Sequence, residues 1–182
     1  MADSDERQLV DRFLRGEAAA FDQIVRLHQA GVARLAQRLL AWPDDADDVV
    51  QDVFLAALRN LGQFRGDSSL TTWLTRITIN TCRSHRRRTL GRVRIWRQWV
   101  SRRPAHPDGT AGTPIEATET HEQVRRAVAR LPQKEREVVV LRYLQEMAPE
   151  EIGSVLGLTT SAVNVRLHRA RARLRKDLDS LT

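Results

Sequence analysis

Residues 147–176 read MAPEEIGSVLGLTTSAVNVRLHRARARLRK, and this stretch decides the fold of the C-terminal third. Pro149 suits the first turn of a short helix, and Gly157 stands where a helix can end in the left-handed conformation. Thr159 or Thr160 then supplies an N-cap for a second helix. The pattern predicts a helix-turn-helix, a motif whose second helix commonly enters the major groove of DNA.

The second predicted helix has two different faces. An apolar stripe at helical spacing should face the domain: Val163, Leu167, Ala170, Leu174 and Leu178. The other faces carry an amide and many cations: Asn164, Arg166, Arg169, Arg171, Arg173, Arg175 and Lys176. The planar guanidinium of arginine can hold guanine O6 and N7, or a phosphate. A solvated basic face is the plainer alternative, but the turn, the caps and the stripe together favour DNA binding.

Helical periodicity continues upstream, and no convincing alternating strand is present, so we expect an all-α fold. The helices are predicted at Glu6–Leu14, Ala18–Leu40, Pro43–Leu61, Leu70 into the arginines, Thr120–Leu131 and Lys134–Gln145. Residues 89–118 are rich in Pro, Gly, Thr and Arg and are predicted to be a flexible linker. The chain therefore divides into two small helical domains, residues 1–88 and 119–182.

The formal net charge is +7, and it is distributed unevenly. Residues 1–62 carry −4, residues 63–118 carry +8 and residues 119–182 carry +3. An acidic start beside a basic middle suggests two kinds of partner. The single cysteine, Cys82, excludes an internal disulfide and a cysteine-based zinc site. Without a signal-peptide pattern or an apolar run long enough to span a bilayer, we expect a cytoplasmic protein with no membrane insertion.

Residues 64–88, FRGDSSLTTWLTRITINTCRSHRRR, predict a loop followed by a helix with two stripes. One stripe is suited to packing: Leu70, Trp73, Leu74, Ile77 and Thr81. The other runs from polar to basic: Thr72, Arg76, Asn80, Arg83 and Arg87. The indole of Trp73 lies near the seam, where it can either stack on an unpaired base or stay in the core. The RGDSS loop can form a polar pocket for an extruded base, so this segment favours single-stranded nucleic acid.

The helix after Pro43 begins with five clustered aspartates: Asp44, Asp45, Asp47, Asp48 and Asp52. A two-metal nuclease site is one interpretation, but no second carboxylate cluster accompanies them, so we expect no metal site. The face opposite its core stripe carries Asp48, Gln51, Asp52, Leu55 and Arg59. A leucine among polar residues fits either a protein-docking surface or a solvated face, and the residues alone leave both open.

Two blocks of the sequence resemble a known family. Residues 44–88, DDADDVVQDVFLAALRNLGQFRGDSSLTTWLTRITINTCRSHRRR, resemble the second conserved domain of bacterial sigma factors. Residues 131–175, LPQKEREVVVLRYLQEMAPEEIGSVLGLTTSAVNVRLHRARARLR, resemble the fourth. A short linker in place of the intervening domain is typical of the extracytoplasmic-function (ECF) type of the sigma-70 family.

The resemblance implies a subunit that binds core RNA polymerase, recognises the −35 and −10 promoter elements and promotes promoter melting. It implies docking on the β′ clamp coiled coil through Asp48, Gln51, Asp52 and Leu55. It implies capture of the −10 element by Phe64, Arg65, Ser68, Trp73, Arg76, Asn80, Arg83 and Arg87, with Asn80 at a flipped base. It implies that the −35 element is read by Thr160, Ser161, Asn164, Val165, Arg166, Arg169 and Arg173.

The expected partners are therefore core polymerase and promoter DNA, both duplex and single-stranded. Many family members are also held by an anti-sigma protein. We expect no enzymatic activity, no catalytic residues and no cofactor, since the chemistry belongs to the polymerase. A stand-alone helix-turn-helix regulator is the main alternative, and it predicts duplex binding without polymerase.

Four positions depart from the family pattern, and one of them is Asn164, which stands where Arg or Lys is common. Ala148 stands where Ser or Thr often caps the first helix of the motif, which loses about 0.5–2 kcal/mol. Gly153 replaces a usual alanine, at an expected cost of up to about 1 kcal/mol. Val165 can contact a thymine methyl but cannot hydrogen-bond, so the −35 sequence should differ from the family's usual one.

Overall fold

The computed structural model describes residues 2–40, 45–99 and 116–179, and no strand occurs within these ranges. The helices are α1 (Ala2–Leu14), α2 (Ala18–Leu39), α3 (Ala46–Asn60), α4 (Leu70–Trp99), α5 (Glu116–Arg130), α6 (Gln133–Val139), α7 (Pro149–Leu156) and α8 (Thr160–Asp179). A short 3₁₀ turn, Leu61–Gln63, follows α3, and a π-helical turn, Val140–Leu144, continues α6. The predicted all-α fold is confirmed. None of the described helices is long and apolar enough to cross a membrane.

The N-terminal unit, helices α1–α4, is built around the apolar stripes of α2, α3 and α4. Every third or fourth residue of these helices points into one shared core, which is why the segments form helices that pack side by side. The largest fully buried side chains are aliphatic: Ile24, Val49, Val53, Leu61, Leu70, Leu74 and Ile79. Burying each stabilises the unit by about 1.5–3 kcal/mol, so the core holds α4 firmly against α2 and α3.

Helix α4 is longer than the sequence indicated. We predicted that helical structure would end near Thr89, whereas α4 continues to Trp99. Arginine and leucine are good helix formers, the single Gly91 is tolerated, and the first proline beyond Thr89 is Pro104. The expected linker therefore begins inside a helix, and its residues 100–115 lie outside the described residues. Pro43 and Asp44, expected to open α3, also lie outside them, and α3 begins at Ala46.

The C-terminal unit, helices α5–α8, contains the predicted helix-turn-helix. Gly157 ends α7 with φ +68°, the left-handed conformation that the sequence required of it. The hydroxyl oxygen of Thr159 accepts a hydrogen bond from the amide of Ala162 at 3.2 Å, so Thr159 rather than Thr160 caps α8. The predicted stripe of α8 points inward, with Val163, Leu167 and Ala170 fully buried and Leu174 partly buried. The motif is confirmed with its caps.

The two departures in α7 are explained by local geometry. The amide of Ala148 donates to the carboxylate of Glu151 at 2.7 Å, so half of a capping box forms although Ala148 has no hydroxyl. At Gly153, an added Cβ would lie only 2.7 Å from the carbonyl oxygen of Leu158. Glycine at position 153 is thus a weaker helix former than alanine, but it is required there. The turn approaches α7 so closely that only a residue without a side chain fits.

Candidate nucleic-acid interface

The loop before α4 is held in place at both ends. Ser69 caps α4, because its hydroxyl accepts a hydrogen bond from the amide of Thr72 at 3.1 Å. In the loop, Gly66 adopts φ +73°, and its carbonyl oxygen accepts a hydrogen bond from Arg7 Nη2 at 3.1 Å. The neighbouring Ser68 is partly buried, and Arg65 is exposed. Sequence spacing does not indicate this role of Arg7, because its partner lies 59 residues further along the chain.

Phe64 and Trp73 pack against each other at the base of this loop. Their ring centroids are 5.5 Å apart and the rings are inclined by 60°, an edge-to-face arrangement. Both side chains are partly buried and contact the hydrophobic core. Trp73 therefore lies at the seam between core and solvent. The indole is therefore not wholly in the core, and its stacking on an unpaired base stays a prediction.

The polar stripe of α4 emerges one turn after Trp73. Arg76, Asn80 and Arg87 are exposed and follow one another along the helix. Asn80 makes none of the hydrogen bonds found among the described side chains, so its amide is free to pair with an added ligand. Arg76 Nη2 donates to the carbonyl oxygen of Ser154 in α7 at 3.3 Å. The stripe predicted from the sequence is therefore present, but its first arginine already contacts the other unit.

Arg83, which follows Asn80 in the stripe, makes two hydrogen bonds to the C-terminal unit. Its Nε and Nη2 donate to the two carboxylate oxygens of Glu137, at 2.8 and 2.6 Å. This paired hydrogen bond raises the pKa of Arg83. Glu137 also accepts a hydrogen bond from Gln133 at 3.0 Å, which orients its carboxylate. The sequence showed no acid balancing the arginines of α4, because the balancing acid lies on α6.

The acidic face of α3 lies on another side of the N-terminal unit. Asp48 and Gln51 are exposed, Leu55 is 43% exposed, and Asp52 pairs with Arg88 of α4 at 3.4 Å. Beside this face an open groove of about 420 Å³ runs between α2 and α3. Apolar side chains form its walls: Phe21, Val25, Val50, Phe54 and Leu58. Acid and amide groups along an apolar groove form a surface suited to a helical partner with basic residues.

The aspartate cluster at the start of α3 meets a histidine rather than further carboxylates. Asp45 lies 2.9 Å from Nε2 of His85 in α4. Within the parts of the chain that the structure describes, no group of three or more His, Cys, Asp or Glu side chains is placed to hold a metal ion. The pair joins the N-terminus of α3 to α4.

Most of the residues expected to read the −35 element share one surface of α8. Ser161, Asn164, Val165 and Arg169 line a shallow depression of about 570 Å³. His168 lines it as well and was missed, although its position four residues after Asn164 places it on the same face. Amide, imidazole, hydroxyl, guanidinium and methyl groups are thus presented together, which is the mixture that base edges in the major groove demand.

The other three predicted residues of α8 are placed differently. Thr160 and Arg166 are partly buried and are not among the residues that line the depression. Arg173 lies beyond it, and its Nε is 3.0 Å from a carboxylate oxygen of Glu135 on α6. That ion pair ties the C-terminal half of α8 to its own unit, and contact of Arg173 with the −35 element stays a prediction.

Comparisons with known proteins agree with this geometry. The family model for Sigma-70 region 2 matches residues 24–93, and that for Sigma-70 region 4 matches residues 121–174. The ECF RNA polymerase sigma factor SigM of Mycobacterium tuberculosis is 34% identical over 97% of this chain and 86% of its own length. The chain belongs to the ECF sigma factors. The RNA polymerase sigma-H factor of Pseudomonas aeruginosa is 32% identical over all of this ECF chain and 97% of its own.

Two solved structures share the fold. CnrH, solved in complex with the cytosolic domain of CnrY, superposes with a TM-score of 0.70 at 31% identity, over 97% of this chain and 99% of that one. The sigma factor RpoE of Bartonella quintana, solved with the anti-sigma factor NepR, superposes with a TM-score of 0.68 over 87% and 96% of the two chains. At 24% identity, this second likeness shows the fold alone.

The two matched regions of this ECF sigma factor correspond to the two helical units. Region 2 covers α3 and most of α2 and α4, and region 4 covers most of α5 through α8. Helix α1 lies outside both matches, yet its Arg7 holds the loop that precedes α4. The predicted family membership is confirmed, while the individual residue roles stay predictions.

Proposed function

We propose that this sigma factor binds core RNA polymerase, positions it at promoters and promotes strand separation without catalysing a reaction itself. One observation carries the proposal: an ECF sigma chain presents two separate faces suited to DNA, one on α4 and one on α8. The face of α8 has the chemistry of a duplex reader, and the face of α4 adjoins a loop and an indole suited to unpaired bases. A protein with both can favour the open promoter.

The C-terminal unit would set the position on the duplex. Asn164, Val165, His168 and Arg169 would enter the major groove at the −35 element, since they are exposed around one depression of the recognition helix. The valine is 46% exposed, which suits contact with a thymine methyl. Arg173 would act through its ion pair with Glu135 by keeping the helix in register with its unit.

The N-terminal unit would capture the −10 element once its bases leave the stack. Asn80 offers both a donor and an acceptor to the edge of an extruded base, and Arg76 and Arg87 offer charge to the backbone. Ser68 and the exposed edge of Trp73 would line the approach to this base. Binding of this kind favours melting only because unpaired bases are bound better than paired ones.

Core polymerase would dock on the acidic face of α3. Asp48 and Gln51 are exposed beside the apolar groove, and Leu55 forms part of its rim. A coiled coil with basic and apolar side chains, as the β′ clamp is expected to provide, is complementary to such a surface. Since the polymerase acts on DNA in the bacterial cytoplasm, this is also where we place the protein.

A regulatory protein partner also belongs to the proposal. Many ECF family members are controlled by an anti-sigma protein, and CnrH, at 31% identity, was solved with the cytosolic domain of CnrY. A partner that covered the groove beside α3 would compete directly with core polymerase. We therefore expect an anti-sigma protein to use this groove.

Selection of genomic fragments tests the proposal against a stand-alone regulator. Fragments of the source genome would be incubated with the chain, with core polymerase, or with both, and the retained DNA would be sequenced. A sigma factor should retain specific fragments only together with the polymerase. Enrichment of specific fragments by the chain alone, unchanged when polymerase is added, would establish the helix-turn-helix regulator instead.

A further inference from the structure

The face of α4 assigned to DNA is in contact with the C-terminal unit of the same chain. Arg83 is 32% exposed, and its guanidinium pairs in a bidentate manner with Glu137, whose side chain is only 3% exposed. About two turns earlier in α4, Arg76 donates to the carbonyl oxygen of Ser154. Two of the arginines in the stripe are therefore occupied by α6 and α7.

A third contact joins the units next to this pair. Arg136 is 2% exposed, and its Nη1 donates to the carbonyl oxygen of Leu39, at the end of α2, at 3.0 Å. The same guanidinium donates to carbonyl oxygens of its own unit, at Val128, Ala129 and Leu131. It therefore connects the α5–α6 turn with the end of α2. The residues Arg83, Glu137, Arg136 and Leu39 form what we call the interdomain latch.

We infer that the free protein is held closed by the interdomain latch, which places the C-terminal unit over the −10-reading stripe of α4. The consequence for DNA rests on the proposed function, because that function assigns the stripe to the −10 strand. The fork of Arg83 cannot hold the carboxylate of Glu137 and a phosphate at the same time. Binding of the −10 strand and closure of the latch therefore exclude each other at Arg83.

The charges in the interdomain latch contribute little net stability to the closed state. A buried ion pair gains little net stability because desolvation opposes the attraction of the charges. Here the positive charge is also in excess: Arg86 approaches Arg136, and its Nη1 is buried without a hydrogen-bond partner among the described residues. Burial, and then the charge of Arg86, lower the pKa of Arg136. Four guanidinium groups share this interface with one carboxylate, so the attraction between charges adds little to its stability: Arg76, Arg83, Arg86 and Arg136.

Glu135 provides a matched control for Glu137. Both glutamates lie on α6 and are buried, but Glu135 pairs with Arg173 inside the C-terminal unit. Replacing either with glutamine removes one buried negative charge. Only Glu137→Gln removes the charge that spans the two units.

Interspin distances measured by pulsed electron paramagnetic resonance test the latch directly. Spin labels would be attached to Ala30→Cys in α2 and Ala172→Cys in α8, both exposed positions. Cys82 should remain unlabelled, because burial raises the pKa of its thiol to about 12. We expect one narrow distance distribution for the free protein and for Glu135→Gln, and a broad, longer one for Glu137→Gln.

Arg83→Gln tests the other side of the pair, in case Glu137→Gln does not fold. Arg83 is partly exposed, so its loss should be tolerated by the N-terminal unit, and the distribution should broaden in the same way. A narrow, unchanged distribution in the folded variants would overturn the latch. So would a distribution that is already broad in the unmodified protein.

DNA binding by the free chain separates the latch from the proposed function. The probe is a fluorescent single-stranded oligonucleotide pool of random sequence, bound without polymerase. If closure keeps most molecules from binding, Glu137→Gln should bind on the order of tenfold more tightly than the unmodified chain or Glu135→Gln. A distance distribution that opens without this gain would leave the latch standing and would contradict the assignment of α4 to DNA.

Discussion

Gly153 lies in α7 where a side chain has no space, and its replacement is a sharp test of the helix-turn-helix geometry. A Cβ at this position would lie 2.7 Å from the carbonyl oxygen of Leu158. That oxygen belongs to the backbone of the turn, and the amide of Leu158 donates to the carbonyl of Gly153 at 2.9 Å. The turn cannot move away without losing this hydrogen bond. Gly153→Ala should therefore destabilise the protein although alanine is the better helix former.

The size of the effect follows from two opposing contributions. Alanine in place of glycine favours a helix interior by about 1 kcal/mol. Overpacking costs about 1–3 kcal/mol, and a contact this short against a backbone atom belongs at the upper end. The net loss should be about 2 kcal/mol, which lowers the Tm by roughly 4–8 °C if the chain unfolds as one unit.

Gly31 supplies the control for this experiment. It lies inside α2, and no heavy atom lies within 4 Å of the Cβ that alanine would add. Gly31→Ala should therefore stabilise the protein by about 1 kcal/mol. Both variants would be followed by far-ultraviolet circular dichroism during thermal and urea unfolding. If Gly153→Ala raised the Tm as Gly31→Ala does, the packing argument would be refuted.

The remaining predictions concern a cap, two DNA contacts and a buried thiol. Ala148→Ser should complete the capping box that Glu151 has half formed, and raise the free energy of unfolding by about 0.5–2 kcal/mol in urea titrations; an unchanged value would show that the cap geometry is misjudged. Asn80→Ala should weaken selectivity for −10 bases in transcription assays but leave core affinity and Tm unchanged, since the side chain is exposed; a collapse of Tm would make Asn80 structural. His168→Ala should weaken binding to a −35 duplex by about 1–3 kcal/mol at the base it contacts, measured by competition between sequences; an equal loss on every sequence would indicate a phosphate contact. Burial raises the pKa of Cys82 from 9.0 to about 12, so the folded state binds the thiol proton more tightly and stability should fall as pH rises from 9.0 towards 12. Cys82→Ala should lose less stability over that range than the unmodified chain, and identical pH profiles would contradict the shift.

The local parts of the fold were predictable from the sequence because their causes are local. Gly157 and the threonine cap fix the turn of the motif within a few residues of chain, and the stripe from Val163 to Ala170 shows which side of α8 is buried. Asn164 and Arg169 could be assigned to the exposed face by the same spacing. The same spacing places His168 on this face, four residues after Asn164.

The parts that were not predictable depend on contacts between distant segments. Glu137 lies 54 residues from Arg83, and nothing in the spacing of either residue indicates the other. The role of Gly153 depends on how closely the turn approaches α7. Helix propensity gives no information about that distance. Helix α4 extends past Thr89 because arginine-rich segments form helices readily, while their composition resembles that of a linker.

Run-off transcription with purified core polymerase tests whether this chain directs the polymerase to promoters. Genomic fragments from the source bacterium would serve as templates, with and without this protein. We expect discrete, promoter-specific transcripts that appear only when the polymerase and the protein are both present. The absence of a promoter-specific transcript from any genomic template, with active polymerase and folded protein, would contradict it.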